Sequence, residues 1–506
     1  MKKFVLTSAE MRCADAYTIQ DKGVDGLALM ERAGIALADE AEKTLDLRGK
    51  RIRVKVLCVC GGGNNGGDGF VCARVLRARG IDAEVLCFAE KLSAECAENK
   101  KRFIEIGGLV FESMPKVDYA LVVDCLLGTG FHGALHGKMK ETVEKLNALK
   151  ERGTKILSAD IPSGVDGQNG AVDGVAVSAD KTLCIGERKL GCYLGDGIDC
   201  SGEVLRADIG IALPSNTYTT IIEKEEIASL LPKRKRNSNK GTYGKVAIVA
   251  GSMQYLGAGY LVASSCMRAG AGYTTLFLPS EMILPFVGKL PEALLTALND
   301  GGRVAFNEKS FARLLPFDAV AYGSGLGISQ DVALGAKWLI ENYTGKLVLD
   351  ADALNSLVKF DCLVALKNKK CEVVLTPHLK EFARLCNQSL EYVFQNGVEE
   401  AKSFAKEYGV SVLLKSATSL ITDGENSALQ IRGNSALAKA GSGDVLTGIV
   451  TALCGNGLPV YESAKIGSYI LGVCAELYCE NNDERSMLAT DAIGLIGKAF
   501  RFVTAS

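Results

Sequence analysis

Short apolar runs in this chain break off repeatedly into glycine or into an acidic residue, and few folds accommodate that junction. Arg51 to Cys60 (RIRVKVLCVC) alternates basic and apolar residues, then turns apolar throughout, as a strand does on entering a buried sheet. It runs into Gly61-Gly62-Gly63-Asn64-Asn65-Gly66-Gly67-Asp68-Gly69, followed by the helix-like VCARVLRARG. Strand, glycine-rich loop and helix in that order make a phosphate-binding βα turn. Asn64, Asn65 and Asp68 interrupt the ordinary dinucleotide fingerprint, which adds polar recognition or an ion to a backbone anion hole. A plain tight turn is the competing reading. Ahead of this junction, Leu6 to Leu45 has helical spacing with a break near Gly23 and Gly26.

The rhythm continues. Ile81 to Phe88 reads as a strand, followed by a charged helix to about Gly107. Tyr119 to Leu126 carries Asp124 ahead of Gly128-Thr129-Gly130, and Lys155 to Ala159 stops at Asp160-Ile161-Pro162-Ser163-Gly164. Acids at two such strand ends lie on the carboxyl edge of a parallel sheet, where open α/β folds bind ligands. Each Asp alone is as readily a helix cap or an Asx turn. Two of them beside the asparagine-glycine loop favour one shared site.

At 506 residues the chain exceeds one ordinary core. The pattern changes from Pro214 to Lys240, through the loop-like Pro214-Ser215-Asn216-Thr217 and a short amphipathic piece, Ile221 to Leu231. The basic run Lys233-Arg234-Lys235-Arg236 reads as a solvated linker, because no aromatic residues interleave it and the net charge is only -1. Nucleic acid is therefore not an expected partner. A boundary near 220–225 predicts domains over residues 1–222 and 223–506. No apolar run reaches membrane-spanning length, so no membrane is expected either. The 17 cysteines lack a CxxC pair, and no secretion signal opens the chain, which together predict reduced thiols in a cytoplasmic protein. With three histidines (His132, His136, His378), a multi-histidine metal centre is not expected.

A second α/β series then begins. Lys245 to Ala250 closes on Gly251-Ser252, Ala258 to Arg268 is a small-residue helix, and Tyr273 to Leu278 is a strand. Asp318 to Tyr322 leads into Gly323-Ser324-Gly325-Leu326-Gly327, and Lys346 to Asp350 into Ala351-Asp352-Ala353. Glu372 to Leu375 ends at Thr376-Pro377-His378, and Val412 to Lys415 at Ser416-Ala417-Thr418. Last comes Ala438-Lys439-Ala440-Gly441-Ser442-Gly443-Asp444, opening an apolar helix whose first N–H groups suit a phosphate. A carboxylate repels a phosphate unless it holds a metal or takes a proton from an attacking hydroxyl. Alone, Asp444 is equally an acid in a helix's first turn. A cleft at the shared edge would collect Asp352, His378, Lys415, Asn434 and Asp444, and that company favours a functional role. Lys439 meets a phosphate or stays solvated.

Taken in order, LMERAG, GGGNNGGDGFV, DCLLGTG, DIPSGVDG, KGTYGKVAIVAGS, GSGLG, LDADALN, TPH, LLKSATSLIT and AGSGDVLTG span nearly the whole chain. In these motifs the sequence resembles the bifunctional NAD(P)H-hydrate repair enzymes, an epimerase fused to an ADP-dependent dehydratase. The resemblance implies a Rossmann-like three-layer α/β domain followed by a ribokinase-like α/β domain. By the same resemblance, Asn64, Asn65, Gly66, Gly67, Asp68, Gly128, Thr129, Gly130, Phe131, His132, Gly133, Ala134 and Asp160 contact the hydrated dinucleotide (NADHX or NADPHX). Asn65, Asp124 and Ser163 would hold K+, with Asp160 the acid/base. In the second domain Ala258, Gly325, His378 and Asp444 would line the substrate site, with Asp444 catalytic. Lys415, Ser416, Ala417, Thr418, Ser419, Asn434, Lys439, Ala440, Gly441, Ser442 and Gly443 would bind ADP with Mg2+. A homo-oligomer is the expected assembly.

Three positions depart from the family pattern. Its Pro-Gly-Glu after the motif histidine reads Leu379-Lys380-Glu381, its GPGLG carries Ser324, and Ser435 to Lys439 is poorer in glycine than usual. The rival reading is a ribokinase-type kinase of a vitamin precursor with a non-catalytic N-terminal module, which would release a stable phosphorylated product.

Overall fold

A computed structural model describes residues 2–46, 54–215 and 217–505; Arg51–Arg53 of the first expected strand and Asn216 fall outside them. The chain divides into two compact units after Tyr218. The strand Thr219–Ile221 goes with the second unit because it pairs with Ser427–Gln430.

The first unit is built on a seven-stranded sheet ordered Val110–Phe111, Asp82–Leu86, Lys55–Cys60, Leu121–Cys125, Lys155–Ala159, Lys181–Ile185, Glu203–Ala207. Its pairings are parallel. Side chains alternate between its faces. Val56, Cys58 and Cys60 pack with Leu37, Phe70 and Phe103 from the helices Gly26–Thr44, Asn64–Ala78 and Ala94–Glu105. Leu57 and Val59 pack with Val143 and Leu146 of the helix Gly137–Glu151 on the other side. Strand order reverses between Lys55–Cys60 and Leu121–Cys125, so the crevice beyond their carboxyl ends is the topological switch point.

The expected break near Gly23 and Gly26 is present, and one local feature differs from the sequence reading. The helix Ser8–Ala16 is separate, started by Thr7 in a reciprocal capping box with Glu10, and Gly23 breaks the path at φ 70° before Asp25 caps the next helix. The glycine string does not stay a loop, since the helix begins at Asn64. Gly66 is required there by packing, because a Cβ on it would lie 2.0 Å from the Gly61 carbonyl oxygen.

The second unit carries a sheet ordered Leu294–Asn299, Tyr273–Pro279, Lys245–Val249, Ala319–Tyr322, Lys346–Leu349, Glu372–Leu375, Ser411–Leu414, Ser419–Thr422, Ser427–Gln430, Thr219–Ile221. Ser419–Thr422 runs antiparallel to both neighbours, and the strands before it are parallel. The helices Leu256–Arg268, Ser442–Gly455, Val460–Cys479 and Ala489–Thr504 bury Val262, Ile449, Ile470 and Ile496 in one core. Gly448 allows the first two to approach, as its Cβ would stand 2.0 Å from Ser265 Oγ. Both units are thus α/β, as expected. No described helix is long and apolar enough to cross a membrane, and the cysteines are free and mostly buried.

Candidate functional site

The first unit holds a cavity of about 650 Å³ at its switch point, a size suited to a bound nucleotide. Its wall includes Asn64, Asn65, Gly66, Asp68, Gly128 to His132 and Asp160, all of them expected from the sequence. Gly67, Gly133 and Ala134 lie off that wall: Gly67 packs on Met30, and Ala134 bridges to Asp173. Residues the sequence reading did not single out complete the lining, among them Met11, Arg12, Asp15 and Lys189.

Asp160 emerges from its strand with a left-handed φ of 70°. That turn brings its Oδ1 to the Ile185 N–H at 3.0 Å and to the Lys189 ammonium. Lys189 is buried and donates as well to the carbonyls of Ile185 and Glu187. Burial opposes its charge, but Asp160 outweighs it and holds the ammonium above its ordinary value. Burial, and then the charge of Asp160, pushes Asp68 well above the carboxylate range. Asp15 rises to about 6, again through burial, with Lys189 opposing and Asp160 adding.

Asp124 is fully buried beneath this wall and accepts from Ser158 Oγ, Ser163 N and Ser163 Oγ at 2.9, 2.9 and 2.6 Å. Asn65 donates to the carbonyls of Leu127 (2.7 Å) and Ala159 (3.3 Å), while its Oδ1 is buried without a hydrogen-bond partner. An orphaned amide oxygen among carbonyl, hydroxyl and carboxylate oxygens is a hard donor set. Among the described residues no cluster of three His, Cys, Asp or Glu is arranged for a metal.

In the second unit, Asp350 is the hub, a residue the sequence reading passed over for Asp352. It is 2% exposed and meets Lys415 Nζ at 2.9 Å, Thr447 Oγ1 at 2.8 Å and Ser324 Oγ at 3.3 Å. Burial raises its carboxyl, but Lys415 outweighs that and holds it below its ordinary value. Lys415 in turn stays above its own ordinary value, Asp350 overcoming burial. Asp352 instead accepts from the Gly327 N–H at 2.8 Å, fastening the glycine loop.

The helix Ser442–Gly455 opens at Gly441 (φ 94°), with Asp444 in its first turn. A Cβ on Gly443 would stand 3.4 Å from Lys415 Nζ, so the lysine borders the helix's unpaired N–H groups. Asp444 is pushed to about 6 by burial and then by Asp350, against a Ser324 hydrogen bond and Lys415. Gly325 (φ 66°) lies against Ala258 and Tyr255. His378 caps the helix Leu379–Leu385: its Nδ1 accepts from the N–H groups of Lys380 and Glu381, and Glu381 returns a bond to the His378 N–H. The Leu379-Lys380 departure therefore forms a capped first turn. Burial and Lys415 lower the His378 pKa and keep the ring neutral.

Two expected nucleotide contacts are occupied locally. Lys439 donates to the carbonyls of Arg485 and Met487, leaving one of its three protons for another acceptor. Asn434 caps Ser435–Leu437 through Ala436 N.

Comparison with known proteins matches residues 246–498 to the NAD(P)H-hydrate dehydratase family and 26–191 to the YjeF-related protein N-terminus. The bifunctional NAD(P)H-hydrate repair enzyme Nnr of Thermofilum pendens is 33% identical over 97% of this chain and 95% of its own. The enzyme of the same name from Moorella thermoacetica is 31% identical over 98% and 97%, and that of Escherichia coli 32% over 86% and 83%. Among solved structures, the ADP/ATP-dependent NAD(P)H-hydrate dehydratase of Bacillus subtilis, co-crystallised with ATP/Mg2+, is 25% identical with a TM-score of 0.49. It covers 56% of this chain and 98% of its own.

Proposed function

The chain belongs to the bifunctional NAD(P)H-hydrate repair enzymes, and from that premise we propose how its two sites share the repair. The first unit interconverts the R and S forms of hydrated NADH and NADPH. The second dehydrates the S form to the intact cofactor at the expense of ADP. The observation that carries this division is the meeting of Asp444, Lys415 and an open helix N-terminus in one place.

In the second unit the helix N–H groups and Lys415 receive the terminal phosphates. Asp444 takes the proton of the ring hydroxyl while the phosphoryl group passes in line to that oxygen, leaving AMP. Phosphate then departs far more readily than hydroxide, and loss of a proton from the neighbouring carbon restores the double bond. Mg2+ arrives with the nucleotide as part of the substrate.

In the first unit Asp160 is the acid/base, fixed by Lys189 and the Ile185 N–H. Asn65, Ser163 and Asp124 are the candidate K+ ligands, and the partnerless Asn65 oxygen is what supports them. Bound there, K+ would supply positive charge beneath the cavity wall. The free cysteines fit a cytoplasmic setting, and a homo-oligomer remains our expectation.

The test is recovery of NADH absorbance from a chemically prepared mixture of epimers, with ADP, with ATP and with neither. Nucleotide-dependent recovery of both epimers is expected. A halt at the initial share of one epimer would remove the first unit's activity from this reading. Unchanged dehydration by Asp444→Asn would remove the role given to Asp444.

A further inference from the structure

We propose that Asp15 is a second proton-transfer group of the epimerase site, acting with Asp160 on the hydrated carbon of the nicotinamide ring. This rests on reading the first unit as the epimerase.

The placement comes from the N-terminal helix Ser8–Ala16. Thr7 and Glu10 cap it at one end, and the buried Met11 and Ala14 fix its rotation against the domain. Met11, Arg12 and Asp15 then fall on one helical stripe that forms part of the cavity wall, beside Asp68, Asp160 and Lys189. Among the described residues the Asp15 carboxyl has no hydrogen-bond or ion-pair partner, although it is half-buried. A carboxyl that lines a cavity without a protein partner is available to a ligand.

The charges and protons around Asp15 define what such a group can do. Three carboxyls share the cavity with Lys189, whose three N–H bonds go to Asp160, Ile185 and Glu187. His132 is taken up by Asp166 at 2.7 Å, and Arg12 is the other basic side chain on the wall. Asp160 is the carboxyl held by the lysine. Burial raises the Asp68 carboxyl above its ordinary value, and Asp15 titrates at about 6. The cavity thus holds a fixed base and a partnerless acid together, the arrangement that divides acid and base roles between carboxyls.

The chemistry balances with these two groups. The hydrated carbon carries a hydroxyl and adjoins the ring nitrogen. Asp15 gives its proton to the hydroxyl, the C–O bond breaks, water leaves and the nitrogen lone pair forms a C=N bond. Water then adds to the other face, the C=N pair returns to nitrogen, and Asp160 takes the released proton. One water leaves and one enters, and one proton moves from Asp15 to Asp160. The opposite epimer is processed from the exchanged protonation state.

The test follows the two epimers, separated by chromatography, in the full-length enzyme without nucleotide, so that dehydration is silent. Asp15→Asn is expected to lower kcat for interconversion about 100-fold or more. KM should stay within about threefold and ADP-dependent dehydration unchanged. The wild-type rate should fall on the alkaline side, as the Asp15 proton is lost, and Asp15→Glu should retain part of kcat with that limb displaced. A kcat for Asp15→Asn within about threefold of wild type, or a change in KM alone, overturns the proposal. If the Asn variant does not fold, an Asp15→Glu profile identical to wild type overturns it and a displaced limb supports it. Absence of interconversion in the wild type overturns the epimerase reading itself, and this inference with it; retained activity in Asp15→Asn with loss in Asp160→Asn overturns only the role of Asp15.

Discussion

Removing the Ser324 hydroxyl should move the acid limb of dehydration toward higher pH. Ser324 stands where the family carries proline, and it bonds both Asp350 and Asp444. Asp444 titrates at about 6: burial and Asp350 raise it, and the serine is the first influence restraining that rise. A hydrogen bond to an ionised group contributes about 1.5–3 kcal/mol, and one pKa unit corresponds to about 1.4 kcal/mol. Sharing the hydroxyl with Asp350 puts the effect at the low end, so Ser324→Ala should bring Asp444 to about 7. As a base, Asp444 must be ionised. Its ionised fraction then falls from about a half to about a tenth at pH 6, and from about nine-tenths to about a half at pH 7. The kcat/KM for ADP-dependent dehydration should drop about fivefold at pH 6, about twofold at pH 7, and not at all at pH 9. A loss equal at every pH, or a limb that stays in place, would refute the assignment of Asp444 as the base.

Breaking the Lys415–Asp350 pair with Lys415→Met should destabilise the second unit by about 3–5 kcal/mol, because a buried carboxylate is left unpaired. Calorimetry should show its transition lowered by about 5–10 °C, and Lys415→Met/Asp350→Leu should recover most of that; a double variant no more stable than the single one contradicts the argument. Asp350 is lowered on folding, so its contribution is present above about pH 4 and fades as acid approaches its folded value. Lys415 is raised, so its contribution is present below about pH 10 and is lost above its folded value, which leaves the mutational loss flat between about pH 5 and 9. Exchanging K+ for tetramethylammonium at constant ionic strength should slow epimer interconversion several-fold and leave dehydration unaffected; equal rates in both salts would remove K+ from the Asn65 site.

How much of this was legible depended on whether a residue's role is local or assembled. Asp124, Asp160 and Asp444 sit in or just past a strand's last residues or in a helix's first turn, so the short pattern around each marked it as a candidate. Asp350 did not, because its role appears only when Lys415, Thr447 and Ser324 arrive from three other segments. The neighbouring Asp352 looked the better candidate in LDADALN, yet its carboxylate holds the Gly327 backbone. Lys189 lies in a stretch with no motif, and only the parallel sheet brings it to Asp160. The same limit hid the strands Ser419–Thr422 and Ser427–Gln430, whose antiparallel pairing is a tertiary choice.

The separation of Asp350 from Asp352 exposes a strained backbone that can be tested. Ala351, between them, has φ 51° and ψ −114°, a combination that glycine adopts freely and a residue with a Cβ does not. That turn sends Asp350 inward to Lys415 and Asp352 out to the Gly327 N–H, so the two carboxylates take different partners, although the charge of Asp350 still adds to burial in raising Asp352. Such a conformation is disfavoured by about 1–3 kcal/mol and persists because its neighbours over-determine it. Ala351→Gly would relieve it, offset by about 0.4–1 kcal/mol of added unfolded-state entropy. The second unit should therefore gain up to about 2 kcal/mol, read as a melting temperature higher by about 2–5 °C with dehydration kinetics unchanged. A lowered melting temperature would mean that the alanine methyl packs favourably and that the backbone there holds no strain.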